Sequence, residues 1–323
     1  MWNRRRVLYF NHDLARPSGG VRMIYSHVGH LVRNGFDAYV VHAGSGFRPA
    51  WFSEDVPTLY TDDEIDIRSD DLLIFPEDAT GAMESAMQFP VQKAIFCQNH
   101  FGLFSGLGTH RTWREMGISD IIAASDAIAK FIRESLHDSE TGVHIVHDAV
   151  DAKLFCKRDD KKLQVALMPR KRRQEAQFIR EMVTRLLPAQ RQLGWTELDG
   201  LPQKRVAETM CESAIFLALS WLEGFGLPPL EAMSCGSIVV GFNGFGGAEY
   251  SRPDNGFWSP EGDIVHCAQT LQRVVEMVIA NDAQIANVRA QGFATAAQYS
   301  PARQEAELLA VVRTLLMRTA AAQ

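Results

Sequence analysis

The stretch EGFGLPPLEAMSCGSIVV, residues 223–240, predicts a sharp bend between a strand and a helix. Two glycines permit a tight loop, and two consecutive prolines suit the first turn of a helix. The glutamates Glu223 and Glu231 stand on either side of this bend. Because a helix N-terminus offers free N–H groups and a positive dipole end, we expect a phosphate to bind there. One ligand would then meet both carboxylates at different points. A structural alternative is a capping glutamate followed by a surface glutamate.

Apolar runs alternate with helical periods on both sides of the bend, which is the pattern of parallel sheets flanked by helices. The first series of predicted strands and helices runs from "RVLYFNHD" to "HIVHDAV", and the second from "LQVALMP" through the bend to "SIVVGF". The polar segment 151–162 between them reads as a linker. At 323 residues the chain has material for two domains. We therefore predict an α/β fold of two Rossmann-like lobes facing across a cleft. The lobes are placed at 1–155 and 156–300, and a buried-face helix at 301–323.

Composition narrows the class of protein. The chain is 46% hydrophobic and 22% charged, with a formal net charge of -6, which is typical of a globular protein and argues against a nucleic-acid-binding surface. No apolar run approaches the roughly 20 residues of a membrane-spanning helix, and the start "MWNRRRVLYF" does not resemble a signal peptide. A cytoplasmic location is predicted, and peripheral contact with the inner membrane face is left open.

Cysteines and histidines give little sign of a metal site. The five cysteines form no C-x-x-C pair and lie in apolar or helical stretches, so we interpret them as reduced core residues. The histidine pairs at 27/30 and 144/147 have short spacings, but neither has a nearby cysteine or an H-E-x-x-H pattern. We interpret these histidines as ordinary surface or core residues.

Three further loops follow predicted strands, where ligands bind in parallel sheets. Gly19 and Gly20 follow the first strand, and either a phosphate, a sugar or a plain turn would account for them. Gln98, Asn99 and His100 end another strand, where the histidine is either catalytic or structural. The cations at 170–173 follow the first strand of the second lobe. They suit a multiply charged phosphate, while a solvated basic turn and a nucleic-acid patch remain as alternatives.

The segment from Ser220 to Tyr250, with "EGFGLPPLEAMSCG" and then "FGGAEY", resembles the E-x7-E signature of retaining nucleotide-sugar glycosyltransferases of the GT-B fold, family four. "SGG" near the start, "ASDAIAKFIRESL" and "MPRKRR" are similar to further family segments. The family usually separates its basic pair, whereas the cations here are contiguous. Where it usually has Pro-Asn-Gly before the linker, this chain has His147-Asp148-Ala149.

The resemblance implies roles for individual residues. Glu231 would bind the ribose, Glu223 and His100 would contact the donor sugar, and the remaining residues would meet its phosphates or sugar. These are Gly226, Leu227, Arg170, Lys171, Gly19 and Gly20. The first lobe would be the acceptor side, the second would bind the nucleotide sugar, and the final helix would pack back on the first lobe.

The resemblance thus implies a retaining glycosyltransferase that needs no metal or other cofactor. Its partners would be a nucleotide-sugar donor and a glycan, lipid-linked or small-molecule acceptor, with no nucleic acid. Donor base, donor sugar, acceptor, the phosphate-binding cations and oligomeric state stay open. The alternatives are a sugar-nucleotide epimerase, a glycogen-type phosphorylase, or a non-catalytic sugar-nucleotide-binding protein.

Overall fold

The computed structural model describes residues 5–51, 55–135, 141–188 and 192–320. The chain forms two compact units, here called the first and second lobes. The first lobe runs to Asp148 and resumes at Ala302, and the second lobe spans Ala149–Pro301. The division after Asp148 lies before the boundary at 155 that the polar composition predicts, because the segment from Ala149 onward packs with the second lobe.

In the described part of the first lobe, seven strands form a parallel sheet in the order β3-β2-β1-β4-β5-β6-β7. Its strands are β1 (Arg6–Phe10), β2 (Asp37–His42), β3 (Thr58–Tyr60), β4 (Leu72–Pro76), β5 (Gln92–Cys97), β6 (Ile118–Ala123) and β7 (Gly142–Ile145). The chain moves outward from β1 to β3 and then returns to place β4 on the other side of β1. The strand order therefore reverses between β1 and β4, and such a reversal opens a crevice at the carboxyl ends of the two strands.

The helices of the first lobe include α1 (Gly19–Arg33), which the sequence predicts to begin near Val21 and which begins two residues earlier in the structure. They also include α2 (Thr80–Ala86), α3 (Leu103–Gly106) and α4 (Asp126–Ser135). Helix α1 buries Val21, Ile24, Val28 and Leu31, as its spacing predicts. Its first residue is Gly19, because the Ser18 side chain caps the helix. The two glycines therefore lie in the first turn and not in the preceding loop. The run DAIAKFIRESL predicts a helix over 126–136, and residue 136 lies outside the described residues.

The second lobe repeats the architecture of the first. Its parallel sheet has the order β12-β11-β10-β8-β9, with β8 (Lys162–Leu167), β9 (Gly194–Glu197), β10 (Ser213–Glu223), β11 (Ile238–Phe245) and β12 (Phe257–Trp258). Its helices are α5 (Arg173–Leu186), α6 (Gln203–Glu212), α7 (Leu227–Ser234), α8 (Ile264–Ile279) and α9 (Ala283–Ala296). No helix or strand is predicted from the sequence for residues 251–299, whereas the structure has β12, α8 and α9 there. Here the strand order reverses between β8 and β10.

The final helix, α10 (Pro301–Ala320), returns to the first lobe as predicted. Its buried face carries Leu308, Val312, Leu315 and Leu316. The buried Gln304 donates from Nε2 to the carbonyl of His147 at 3.1 Å and accepts from Ser26 Oγ at 3.2 Å. These bonds tie the helix to the first lobe through groups that have little access to water. Residues 321–323 of the predicted segment lie outside the described part.

All five cysteines are free thiols, and four of them are buried, namely Cys97, Cys211, Cys235 and Cys267. Cys156 is exposed, so the interpretation of every cysteine as a core residue is wrong at this position. It lies in the connecting segment just before β8, where local apolar neighbours such as Phe155 take the buried positions instead. In the described residues, no helix combines the length and the apolar character that crossing a membrane requires.

Candidate active site

The quoted stretch forms a strand, a bend and a helix. Strand β10 ends at Glu223, and Gly226 adopts a φ of 88° directly before α7 begins at Leu227. This left-handed conformation favours glycine, because a Cβ would clash with the backbone. Glu231 lies in α7 and is 4% exposed, whereas the Glu223 side chain is 29% exposed. The two carboxylates thus occupy different environments on either side of the bend.

A second glycine loop, which follows β11, packs against the bend. Tyr250, which is buried, donates from its hydroxyl to the carbonyl of Gly226 at 2.6 Å. A Cβ added at Gly246 would lie 2.4 Å from the carbonyl oxygen of Gly224 and 2.5 Å from that of Glu223. Only a residue without a side chain permits this approach. The segment 246–250 therefore supports the backbone that carries Glu223.

The basic turn meets Glu223 where the strand order of the second lobe reverses. Lys171 follows β8, and its Nζ lies 2.8 Å from Oε1 of Glu223 and 2.9 Å from the carbonyl of Trp221. Adjacent parallel strands end at the same edge of the sheet, so residues following β8 and β10 come together there. The structure thus places Lys171, which is predicted to bind phosphate, in contact with Glu223, which is predicted to be catalytic.

The four contiguous cations differ in environment. The Arg172 side chain is 3% exposed, and its guanidinium lies 4.5 Å from the Trp221 ring centroid and 4.6 Å from that of Phe242. Arg173 is exposed and pairs with Asp199. Arg170 is exposed, and in the described part of the chain its side chain makes no ion pair. Arg172 is therefore a packing residue, while the exposed Arg170 and Lys171 can reach a ligand.

Two exposed aromatic side chains flank the bend. The ring centroids of Trp221 and Phe245 are 5.9 Å apart, and the side chains are 39% and 46% exposed. Leu222 and Phe245 have positive φ values, 48° and 73°. Such conformations are strained for residues with a side chain, and they concentrate at functional sites. Sequence reasoning missed Trp221 and Phe245, since neither side chain is charged and neither lies in a recognised motif.

The first-lobe candidates form a separate set. Gln98 donates from Nε2 to the carbonyl of Gly20 at 3.2 Å, and a Cβ at Gly20 would lie 3.3 Å from the same nitrogen. A Cβ at Gly19 would meet nothing within 4 Å, so no packing constraint requires glycine there. Asn99 accepts from the N–H of Phe101 through its side chain. The structure therefore joins Gly20 to Gln98, and Asn99 caps the turn that holds His100.

His100 is the first residue of this turn and is 8% exposed. Its ring centroid is 4.2 Å from that of Phe101 and 4.6 Å from that of Phe131. Burial lowers the pKa of His100, so its imidazole is neutral near pH 7. Its Nδ1 is buried and has no hydrogen-bond partner among the described residues. A buried polar atom without a partner marks a place where a ligand group can bind.

Two buried carboxyls near this turn were not predicted from sequence as site residues. Glu77 follows β4 and accepts from the backbone N–H groups of Gln98 at 3.0 Å and Asn99 at 2.8 Å. Burial raises the pKa of Glu77 to about 7, and it raises the pKa of Asp148 to about 7 as well. A polar Glu-Asp pair directly after a buried strand is the signal that could have pointed to Glu77.

Comparisons with known proteins agree with this architecture. Residues 195–291 match the model of the family described as "Glycosyl transferases group 1". An alpha-1,6-glucosyltransferase of Actinobacillus pleuropneumoniae serotype 7 is 25% identical over 269 residues, which is 81% of this chain and 81% of that protein. The serotype-specific mannosyltransferase WbdA of Escherichia coli is 34% identical over 91 residues, 28% of this chain and 10% of that protein.

Solved structures of low sequence identity share the whole fold. HepE of Anabaena, in complex with UDP and glucose, superposes with a TM-score of 0.73 at 15% identity, covering 96% of this chain and 100% of that one. Sucrose-phosphate synthase from Thermosynechococcus elongatus has a TM-score of 0.73 at 13% identity, covering 97% and 100%. These are GT-B structures, so the predicted fold class is confirmed. The chain therefore has the GT-B fold, and its residues 195–291 are similar to the glycosyl transferases group 1 family.

Proposed function

We propose that this protein transfers a hexosyl group from a nucleoside-diphosphate-sugar donor to an acceptor hydroxyl, with retention of the anomeric configuration, in glycan biosynthesis. The observation that carries the proposal is the bend between β10 and α7, with Glu223 at one end and Glu231 buried beyond it. The HepE complex with UDP-glucose supports a uridine donor as the first to test. The glucosyl- and mannosyltransferase relatives support a hexose.

The chemistry requires that negative charge on a leaving diphosphate be stabilised. When the bond from the anomeric carbon breaks, charge develops on the phosphate oxygens, and fixed cations and helix N–H groups lower the barrier by meeting that charge. We assign this role to Arg170, Lys171 and the backbone at Gly226 and Leu227. No metal ion or other cofactor is given a role in this mechanism.

Lys171 lies between the groups assigned to the phosphates and Glu223, the carboxylate assigned to the sugar. Its ammonium group contacts the Glu223 carboxylate at 2.8 Å, so a shift of either side chain changes the position of the other. We assign Glu223 to the donor sugar near the reacting carbon, and Glu231 to the ribose. In the first lobe we assign Gly19, Gly20 and the neutral His100 to the donor, the histidine to the transferred sugar.

A cytoplasmic location is part of the proposal. The four buried free thiols support a reducing compartment, because disulfides are rare there. Contact with the inner membrane face would bring the protein to a lipid-linked acceptor, and a glycan or a small-molecule acceptor requires no such contact.

The two glutamates are expected to separate binding from catalysis. Ribose does not change during transfer, so Glu231→Ala should weaken nucleoside-diphosphate binding by about 1.5–3 kcal/mol, the range for a hydrogen bond to a charged group. Glu223→Gln should leave that affinity nearly intact and lower the transfer rate, since the sugar changes its geometry and charge. Calorimetric titration with UDP, beside a transfer assay, measures both effects.

The outcomes distinguish the rival functions. Loss of nucleotide affinity in Glu223→Gln, with normal affinity in Glu231→Ala, would reverse the two roles. If neither variant changed binding or rate, the motif would be structural. Donor turnover without any acceptor would indicate an epimerase, transfer to inorganic phosphate a phosphorylase, and tight nucleotide binding without turnover a binding protein.

The basic turn has its own test. Replacing Arg170 and Lys171 together with alanine should weaken UDP binding by about tenfold or more while leaving uridine binding nearly unchanged, because only the diphosphate needs cations. Arg173→Ala is the matched control, an exposed cation in the same turn that pairs with Asp199. Equal losses for UDP and uridine would show that the turn is structural.

A further inference from the structure

Two buried thiols of the second lobe lie in direct contact. Cys211 belongs to the last turn of α6, Cys235 follows α7, and their Sγ atoms are 3.1 Å apart. A small movement of the two side chains at this distance would allow a disulfide to form. The two cysteines are 24 residues apart, so the fold and not a sequence motif brings them together. Neither thiol has a role in the proposed transfer mechanism.

A third thiol connects this pair to solvent. Cys211 and Cys235 are both buried, so an oxidant in solution has little access to either sulfur. Cys156 is exposed, and both its backbone N–H and its thiol form hydrogen bonds with the thiol of Cys211. An oxidant can therefore react first with Cys156, and the oxidised sulfur then lies beside Cys211.

The surroundings of the pair favour the thiolate form of Cys211. Its pKa is lowered chiefly by the hydrogen bond from Cys235, and also by the hydrogen bonds from Cys156 and the positive charge of Lys161. The hydrogen bond between the pair raises the pKa of Cys235, and burial adds to the rise. Lys161 is held beside the pair, because its Nζ donates to the carbonyl of Cys235 at 2.6 Å. Since thiolates are the nucleophiles of disulfide chemistry, Cys211 is the attacking thiol.

We propose that Cys211 and Cys235 are a redox-modification site, at which hydrogen peroxide produces a reversible disulfide between them. Cys156 is the thiol that reacts with the peroxide first. Disulfides in reducing compartments are usually transient and respond to oxidants, so this bond is compatible with the proposed cytoplasmic location.

The oxidation proceeds in three steps. The Cys156 sulfur attacks one peroxide oxygen, the O–O bond breaks and water leaves, which produces a sulfenic acid. The Cys211 thiolate then attacks the Cys156 sulfur, and the hydroxyl takes up a proton and leaves as water. Finally, Cys235 loses its proton and attacks the Cys211 sulfur, and Cys156 leaves as a restored thiol. In total, two thiols are oxidised to one disulfide, and one hydrogen peroxide is reduced to two molecules of water.

The disulfide acts on the helix that carries Glu231. The N–H of Cys235 donates to the carbonyl of Glu231 at 3.0 Å, at the end of α7. Glu231 is buried, and packed interiors transmit small displacements, so a shift of Cys235 changes the position of this carboxylate. We expect oxidation to weaken UDP binding at least about fivefold, the lower end of typical couplings between two sites. This effect on UDP rests on the proposed function, whereas the disulfide does not.

Peptide mapping of the full chain tests the disulfide. Trypsin has no cleavage site between Cys211 and Cys235, so the peroxide-treated, alkylated protein is cleaved after glutamate residues. Cleavage after Glu212 and Glu231 places the two cysteines in separate peptides, and a linked pair identifies the bond by mass spectrometry. We expect this link after oxidation and its loss after dithiothreitol treatment. Absence of the link, or a stable end product that joins Cys156 to Cys211, would overturn the proposal.

Variants separate the roles of the thiols. Cys211→Ser should abolish the link, and Cys211→Ala repeats the test with a second side chain if the serine variant does not fold. Cys156→Ser should slow formation of the link at least about tenfold, because peroxide must then reach the buried pair directly. The matched control is Cys267→Ser, a buried thiol in α8 of the same lobe, which should leave the link and its rate unchanged. A wild-type rate in Cys156→Ser would overturn the role of the exposed thiol.

UDP titrations connect the disulfide to donor binding. Oxidised wild-type protein should bind UDP at least about fivefold more weakly than reduced protein, and Cys211→Ser should bind it equally under both conditions. Because coupling is reciprocal, saturating UDP should lower the equilibrium constant for disulfide formation by the same factor in a series of glutathione redox buffers. An unchanged UDP affinity of the linked protein would overturn the control of donor binding. If UDP did not bind to reduced protein, the proposed function would fail, and the peptide map would still decide the disulfide.

Discussion

Arg172→Ala is expected to destabilise the second lobe by about 3–5 kcal/mol, because a buried acceptor is left unsatisfied and two cation–π contacts are lost. Its guanidinium stacks between Trp221 and Phe242, donates to the carbonyl of Ser220 at 3.1 Å and pairs with Glu261. Alanine removes all of these contacts and leaves the buried carbonyl of Ser220 and the partly exposed carboxylate of Glu261 without this partner. The midpoint of guanidinium unfolding, followed by tryptophan fluorescence, measures the loss.

Neighbouring substitutions identify the cause of this effect. Arg173→Ala removes an exposed cation from the same turn and should change stability by less than about 1 kcal/mol, as surface ion pairs contribute little. Arg172→Lys keeps the charge but loses the planar group that stacks on the two rings, so an intermediate loss is expected. Equal midpoints for Arg172→Ala and Arg173→Ala would contradict the assignment of Arg172 to packing.

Much of the fold follows from local patterns in the sequence. Strands such as β4 and β5 are buried runs bounded by polar residues, and α1 shows a helical apolar face with Gly35 at its end. Helices α8 and α9 were not assigned, although the spacing of Leu271, Val274 and Val275 is helical. The order of the strands in each sheet is a tertiary property, and it appears only in the structure.

Some features of the candidate site can likewise be predicted from local sequence, and others depend on the tertiary structure. Residues that form the bend, such as Gly226, are local features, because a φ of 88° requires a particular residue at a particular place. The contiguous cations look alike in sequence, yet Arg172 is buried and Lys171 contacts Glu223. Their different environments come from strands that are distant along the chain. The raised pKa of Asp148 likewise depends on burial that no local pattern reveals.

Gly246→Ala is expected to lower the transfer rate on the order of 100-fold, the cost of displacing a reacting group by roughly 1 Å. The new Cβ would lie 2.4 Å from the Gly224 carbonyl oxygen and 2.5 Å from that of Glu223, both backbone atoms that no side-chain rotation can move away. The peptide between Glu223 and Gly224 must therefore shift, and the Glu223 carboxylate shifts with it. Steady-state transfer kinetics with saturating donor measure the change in kcat.

The effect on binding shows whether the damage is local to Glu223. Glu231 lies in α7, beyond the bend. If α7 keeps its place in Gly246→Ala, the UDP affinity of this variant should fall by less than about tenfold, because binding and transition-state contacts are separable. Ala248→Ser, at an exposed position of the same loop, adds one atom without a backbone clash and should leave kcat nearly unchanged. If Gly246→Ala had wild-type kcat, the glycine loop would not position Glu223. If it lost UDP affinity and kcat together, the loop would support the whole bend and not the sugar end alone.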